Sequence, residues 1–345
     1  PGWILSLCDS VDDGLNDGSF GQLLDAVVSG YMSAFKKPRF WDDVVALMFT
    51  STTVNRKMAL EIGKDGSQMT IGDLVDRGCI HCEPCNDESG KPSESDFVMR
   101  IAPAFLRVSK WSDGMLSIPG LLPLVSDAMP WTWQHFERFH CYFIAATLAS
   151  FKRLNAHGET VPLRRGLRGA QPKNSTELDT RVCFGDFSAN KIEEDELQCF
   201  TPTSAQTGKD NVILTDSATV HLAQKNTISA DSYFNIQDVD GTWWTIFFRY
   251  KHSDADGKKT TVKLSEMNEW RRNINDVISK SAQLEQEEDR NRWVGRRTLL
   301  VVVTNRIVEI DEALHPGVVW ISRKEIEEHL HVFAHRGLLP AANAC

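Results

Sequence analysis

Residues 228–253, ISADSYFNIQDVDGTWWTIFFRYKHS, constrain the fold more than any other stretch. A run of alternating polar and apolar residues opens at Asp231 and ends near Gln237. An almost unbroken aromatic and β-branched run then extends from Trp243 to Lys251. The first pattern is that of a strand with one wet face, the second that of a strand covered on both faces. Between them, Val239-Asp240-Gly241-Thr242 carries the Asp-Gly signal of a tight hairpin. The pairing predicts a carboxylate at the start of one strand and an ammonium at the end of its neighbour, at one rim of a sheet. Such a rim suits a phosphodiester: the carboxylate holds a hard cation such as Mg²⁺, and the ammonium stabilises developing charge or orients water.

At 345 residues the chain exceeds one ordinary domain, and its pattern breaks into two, 1–125 and 126–345. In the first, apolar spacing predicts helices over 19–34, 40–48 and 54–62, and a fourth through Ile71, Leu74 and Val75 that stops at Gly78. Residues 79–83 and 97–103 read as strands. Helices followed by a β-hairpin describe a winged-helix-like module; a small adaptor bundle is the other reading of the same pattern. A Gly-, Pro- and Leu-rich stretch over 112–127 separates the two.

The second domain opens on a long helix, 131–154, with Phe136, Phe139, His140, Phe143, Thr147 and Phe151 on one stripe. Short strands lead into the hairpin. A charged helix follows from Leu264, with Met267, Trp270, Ile274, Val277 and Ile278 on a narrow apolar face. The run TLLVVVT, 298–304, is a fully buried strand; 317–322 is another, and 323–335 a closing helix. This order predicts an α/β fold, a mixed sheet flanked by helices on both sides.

The net charge of −9 means that attraction to nucleic acid has to come from local basic patches. The basic stretch Lys152, Arg153, Arg164, Arg165, Arg168 and Lys173 is one candidate, and Arg290 to Arg297 is a second. A solvated surface facing the acids of 193–196 accounts for the first equally well. No run approaches the roughly 18 apolar residues of a membrane span, so no membrane partner is expected. The eight cysteines are scattered, as in a reduced protein, apart from Cys79, Cys82 and Cys85 around His81. Their Cys-x₂-Cys spacing suits zinc, but no downstream pair completes a site, and zinc is not expected there. His329, His331 and His335 lack the glutamate of a metalloprotease helix and read as surface residues. The chain opens at Pro1 and reads as part of a longer protein.

The sharper candidates are Glu137, Asp231 and Lys251 as catalytic residues, with Asp231 and Glu137 as Mg²⁺ ligands. Glu137 sits among Phe136 and Phe139, where an unpaired carboxylate is costly; facing outward to a Lys or Arg is the other reading. Arg249 stands where a second acid is needed beside Lys251, and a guanidinium cannot ligate a cation. It is instead a candidate phosphate contact.

Several phrases together resemble the C-terminal regions of crinkler (CRN) effectors and the related retrotransposon hot spot (RHS) proteins. They are Trp133-Gln134-His135-Phe136-Glu137-Arg138-Phe139, Val161-Pro162-Leu163 to Gly169-Ala170, Ala230-Asp231-Ser232-Tyr233-Phe234 and Phe248-Arg249-Tyr250-Lys251. The resemblance implies a restriction-endonuclease-like, PD-(D/E)xK domain, with DNA or chromatin as partner and the nucleus as site of action. For the crinkler branch it implies an effector secreted by a pathogen or symbiont into host cells. Glu137, Asp231 and Lys251 match the nuclease positions; Arg249 departs from them and puts cleavage in doubt. A degenerate Mg²⁺-dependent endonuclease and an inactive scaffold for a host nuclear protein both remain open.

Overall fold

The computed structural model describes residues 40–61, 68–76, 80–86, 92–100, 133–154, 160–183, 203–204, 220–222, 230–253, 260–284 and 295–333. Internal contacts divide the chain near residue 126 into two compact units.

In the first unit, helix α1 (Phe40–Phe49) buries Val44, Leu47, Met48 and Phe49. Strand β1 (Thr53–Asn55) follows it, and β2 (Ala59–Glu61) pairs with β3 (Gln68–Thr70). The helix expected over 54–62 is therefore replaced by β1 and β2. Thr52, Thr53 and Val54 are β-branched or turn-forming, and a strand 40 residues downstream offers them a ladder. Helix α2 (Ile71–Asp76) starts on a reciprocal cap: the Asp73 amide donates to Thr70 Oγ1 at 3.1 Å, and the Thr70 amide donates to Asp73 Oδ2 at 2.9 Å. Its face buries Ile71 and Leu74. Strands β4 (His81–Asn86) and β5 (Pro92–Arg100) form the expected hairpin, with β1 on the far edge of β5. The 3₁₀ turn His331–Phe333 belongs with this unit, against β5. The helix expected at 19–34 lies outside the described residues.

The second unit is a mixed α/β fold around one curled sheet of eight strands. It begins with α3 (Trp133–Leu154), β6 (Thr160–Pro162) and the short α4 (Leu163–Gly166), followed by β7 (Arg181–Cys183). Two-residue strands β8 (Thr203–Ser204) and β9 (His221–Leu222) precede the hairpin of β10 (Ser232–Asp238) and β11 (Trp243–Lys251). Strand β12 (Thr261–Lys263) runs into α5 (Leu264–Leu284), then come β13 (Arg297–Thr304), β14 (Ile307–Glu309), β15 (Val318–Ile321) and α6 (Ile326–His329). The main path through the sheet is β15-β13-β11-β10-β7-β6. Strands β11, β13 and β15 are mutually parallel, whereas β10, β7 and β6 alternate in direction.

The hairpin turn forms as its residues dictate. Gly241 takes φ +80°, its amide donates to Asp238 O at 3.1 Å, and Asp238 Oδ1 accepts the amides of Asp240 and Thr242. On one sheet face Tyr233, Phe247, Leu300 and Val302 pack against Met267 and Ile274 of α5. On the other, Tyr250 stacks toward His140 of α3, with ring centroids 6.0 Å apart. Successive residues of β11 thus meet different helices, the alternation that a two-faced central strand requires.

After α4 the chain straps from one sheet edge to the other. Gln171 and Trp320 exchange two backbone hydrogen bonds, at 2.8 and 2.9 Å, on the outer side of β15. Gly169 sits in this strap with φ +77°, and a Cβ there would lie 2.8 Å from Glu325 O, so only glycine fits. The closing helix is shorter than the sequence predicts: α6 spans Ile326–His329, and His329 and His331 are buried rather than exposed. The His329 ring packs against His140 and Phe143 of α3, a use that helical spacing does not reveal.

Candidate active site

Strand register brings the hairpin charges together. Ser232 lies opposite Phe248, so Asp231 falls beside Arg249 at the rim where β11 ends. The Asp231 amide donates to Phe248 O at 2.8 Å, and Asp231 Oδ2 accepts the Tyr250 amide at 2.7 Å. Asp231 Oδ1 stands 3.5 Å from Arg249 Nη1. Two residues on, Lys251 shares the face of Arg249, and both cations lie over the Trp270 ring of α5, with Lys251 Nζ 5.3 Å and Arg249 Cζ 5.7 Å from its centroid.

The backbone at the end of β11 is pinned from the last residue of β13 and the turn after it. Thr304 Oγ1 donates to Lys251 O at 2.6 Å, Arg306 Nη2 donates to His252 O at 2.6 Å, and the Ser253 amide donates to Asn305 Oδ1 at 2.9 Å. Glu137 comes to the same rim from α3. Its carboxyl is pushed up to about 7, first by burial and then by the Asp231 carboxylate, against the pull of Lys251 and Arg249. The ammonium of Lys251 is pushed down, first by burial; Asp231 and Glu137 oppose that shift, while Arg249 and Arg306 add to it. Glu137, Asp231, Arg249 and Lys251 therefore form one electrostatic cluster.

Behind this cluster the groups are kept neutral. His140 is fully buried between Phe136, Phe139, Tyr250 and His329, and its ring nitrogens have no hydrogen-bond partner among the described residues. Burial, followed by His329 and His252, holds it well below the usual imidazole range. His329 is lowered to about 4 by burial, despite a hydrogen bond with the backbone of Arg168. The Cys141 thiol is raised to about 12, chiefly by burial. Tyr250, whose hydroxyl lies 2.8 Å from Ser232 Oγ, is likewise raised, burial again leading.

The cluster fits a Mg²⁺ ion poorly. One oxygen of Asp231 faces Arg249 and the other takes a backbone amide, while Glu137 holds its proton up to about neutral pH. Arg249, Lys251 and Arg306 outnumber the two carboxylates, whereas a hard divalent ion seeks an excess of anionic oxygen. Asp238 cannot stand in for the missing acid, because it is spent on its own turn and on Trp244 Nε1 (2.9 Å) at the other end of the strand. Among the described residues no group of three or more His, Cys, Asp or Glu could hold a metal.

The other candidates lie apart from this rim. Arg164 is held by Asp179, with Nε at 3.0 Å and Nη2 at 2.9 Å, and Arg165 lies over Phe151, 5.6 Å from its ring centroid. Phe151 is about 21 Å along α3 from Glu137. Lys152 is half-buried, Lys173 is exposed, and Arg168 bonds His329 through its backbone. Cys79 lies outside the described residues. Cys82 pairs with Met99 on β4, and burial raises its thiol to about 11 against the pull of Arg56; Cys85 falls at an irregularity between Pro84 and Asn86. Arg306 is a site residue that no sequence pattern singles out, and helical spacing marks Trp270 only as part of an apolar face. Only the parallel pairing of Lys251 with Thr304 carries Arg306 to the rim.

Compared with known protein families, curated proteins and solved structures, the chain finds no match. Among the described residues, no helix is long and apolar enough to cross a membrane.

Proposed function

We propose that the second unit is a restriction-endonuclease-like domain that binds DNA at the Asp231–Lys251 rim, and that Arg249 has converted a metal-dependent cleavage site into one that holds phosphate without efficient hydrolysis. A winged-helix-like first unit is part of the same reading. The observation that carries it is the Arg249–Asp231 pair at 3.5 Å, beside Lys251 and within electrostatic reach of Glu137. Two acids and an amine meet at one sheet rim, as a nuclease needs, but a guanidinium occupies the place of the third oxygen donor. Action in a host nucleus follows from the crinkler resemblance, whose phrases include the rim residues themselves. The alternative is a scaffold for a nuclear protein that does not touch DNA.

Arginine reversal tests this. Arg249→Glu supplies the missing acid, and the variant is expected to gain Mg²⁺- or Mn²⁺-dependent plasmid nicking that Asp231→Ala abolishes in the same background. The parent protein is expected to nick no faster than its own Asp231→Ala control. It should still shift a labelled duplex in anisotropy measurements, with an affinity that falls log-linearly with salt. No measurable binding at low salt would leave the scaffold reading standing in its place.

A further inference from the structure

We propose that the chain carries a second anion site at the opposite end of β11, built to take a small molecule bearing a phosphate monoester. A cavity of about 520 Å³ opens there, under the strap, and Glu177, Trp244, Arg271, Arg297, Thr298 and Gly317 line it. That volume lies within the range of pockets for nucleotide-sized ligands, roughly 300–1,000 Å³.

The charge of the lining decides the ligand class. Arg271, Arg296 and Arg297 line the cavity with one carboxylate, Glu177, in a chain whose overall charge is −9, and Arg296 Nη1 also donates to Asn235 Oδ1 at 2.9 Å. Arg271 is only 7% exposed and its Nη2 donates to Thr298 O at 3.1 Å, yet its Nε and Nη1 meet no acceptor among the described residues. A buried guanidinium with donors unmet is expensive, and burial also lowers its proton affinity in spite of Glu177. An anion in the cavity supplies the counter-charge and, with a small turn of the guanidinium, the missing acceptors.

Gly317 makes room for this arrangement. Its φ is +75°, and a Cβ would come within 3.1 Å of Arg271 Nη2 and 3.2 Å of Thr298 O. Its amide donates to Glu177 Oε1 at 3.2 Å, and Ser175 Oγ donates to Glu177 Oε2 at 2.7 Å, so the acid is fixed at the wall. On the open side Arg297 lies over Trp244, with Cζ 5.5 Å from the ring centroid. The three guanidinium groups leave two positive charges in excess of Glu177. That matches the dianion of a phosphate monoester near pH 7, and planar guanidinium donors suit phosphate oxygens.

Isothermal titration of the full chain with inorganic phosphate, 5′-AMP and adenosine tests the site. Saturable binding is expected for phosphate and 5′-AMP and none for adenosine. Arg271→Gln is expected to weaken 5′-AMP about tenfold or more, and Arg297→Gln, at an exposed position, several-fold. Lys251→Ala strikes the other end of the strand and is expected to leave this affinity alone. If Arg271→Gln does not fold, Arg297→Gln decides. Absence of saturable 5′-AMP binding overturns the proposal, and so does binding that Lys251→Ala removes while Arg297→Gln spares it. Loss of DNA binding at the Lys251 rim bears on the earlier reading and not on this one.

Discussion

The two ends of β11 treat positive charge in opposite ways. At the Lys251 end, Arg249, Lys251 and Arg306 meet two carboxyl groups, Asp231 and Glu137, on facing elements. At the Trp244 end, Arg271, Arg296 and Arg297 have Glu177 alone among the cavity residues. The ends are joined by a strand whose middle, Trp244 to Phe248, is buried, so both rest on one core while their charged groups stay separate. Attraction to phosphate therefore depends less on the number of cations than on how many carboxylates already lie among them.

A strike at the middle of the shared strand is the most severe test of that comparison. Phe247 is 1% exposed in the core under α5. Phe247→Ala is expected to cost about 3–5 kcal/mol and to lower the calorimetric Tm by roughly 10 °C. Both ends should lose their binding together at the new, lower transition. A variant that keeps one end folded while the other melts would mean that the strand does not couple them.

Acid separates the ends next. His329, lowered to about 4, and His140, also lowered, stay neutral in the fold behind the Lys251 rim, whereas in the unfolded chain they titrate near 6.5. A depressed imidazole contributes stability that is complete above about 6.5 and is lost as pH falls toward the folded value. For His329 alone the loss is on the order of 3 kcal/mol by about pH 4. Thermal melts are expected to fall steeply over that window, and His329→Phe should flatten the curve. An unchanged slope in that variant would place the acid sensitivity elsewhere.

The smallest effect runs the other way. Glu137 is raised to about 7 in the fold from an ordinary 4.5, so the folded state holds its proton longer and stability declines as pH rises between those values. Its partial exposure limits this to about 1 kcal/mol. Glu137→Gln should therefore match the parent near pH 5 and melt about 2–4 °C higher at pH 8. Equal Tm values at both pH values would remove the claim that this carboxyl is strained at the rim.

The hairpin was legible because its signals are local: alternation, an aromatic run and an Asp-Gly turn all lie within 228–253, and β10 and β11 form there. Long amphipathic α3 and α5 and the apolar run of β13 were legible for the same reason. The short segment at Val54 was not, because a few residues carry too little periodicity to outweigh a ladder offered by β5. Charges at strand ends marked Asp231 and Lys251, and the apolar setting marked Glu137. Which partner each would meet was hidden. The contact between Asp231 and Arg249 needs the strand register, and Arg306 reaches the rim only through the parallel pairing of β11 with β13. The buried state of His329 depends on His140 and Phe143 of α3, far away in sequence.

The strap through Gln171 turns an open sheet into something closer to a hoop. Gly317 and Glu177, which bond across it, stand 140 positions apart in the chain. Closure of so long a loop has to wait for the strands between, so the folding of this unit should be slow and finish at the strap. Once shut, the outer backbone of β15 at Trp320 has already spent its hydrogen bonds on Gln171, and a passing chain finds no vacant rung there to recruit it into an aggregate.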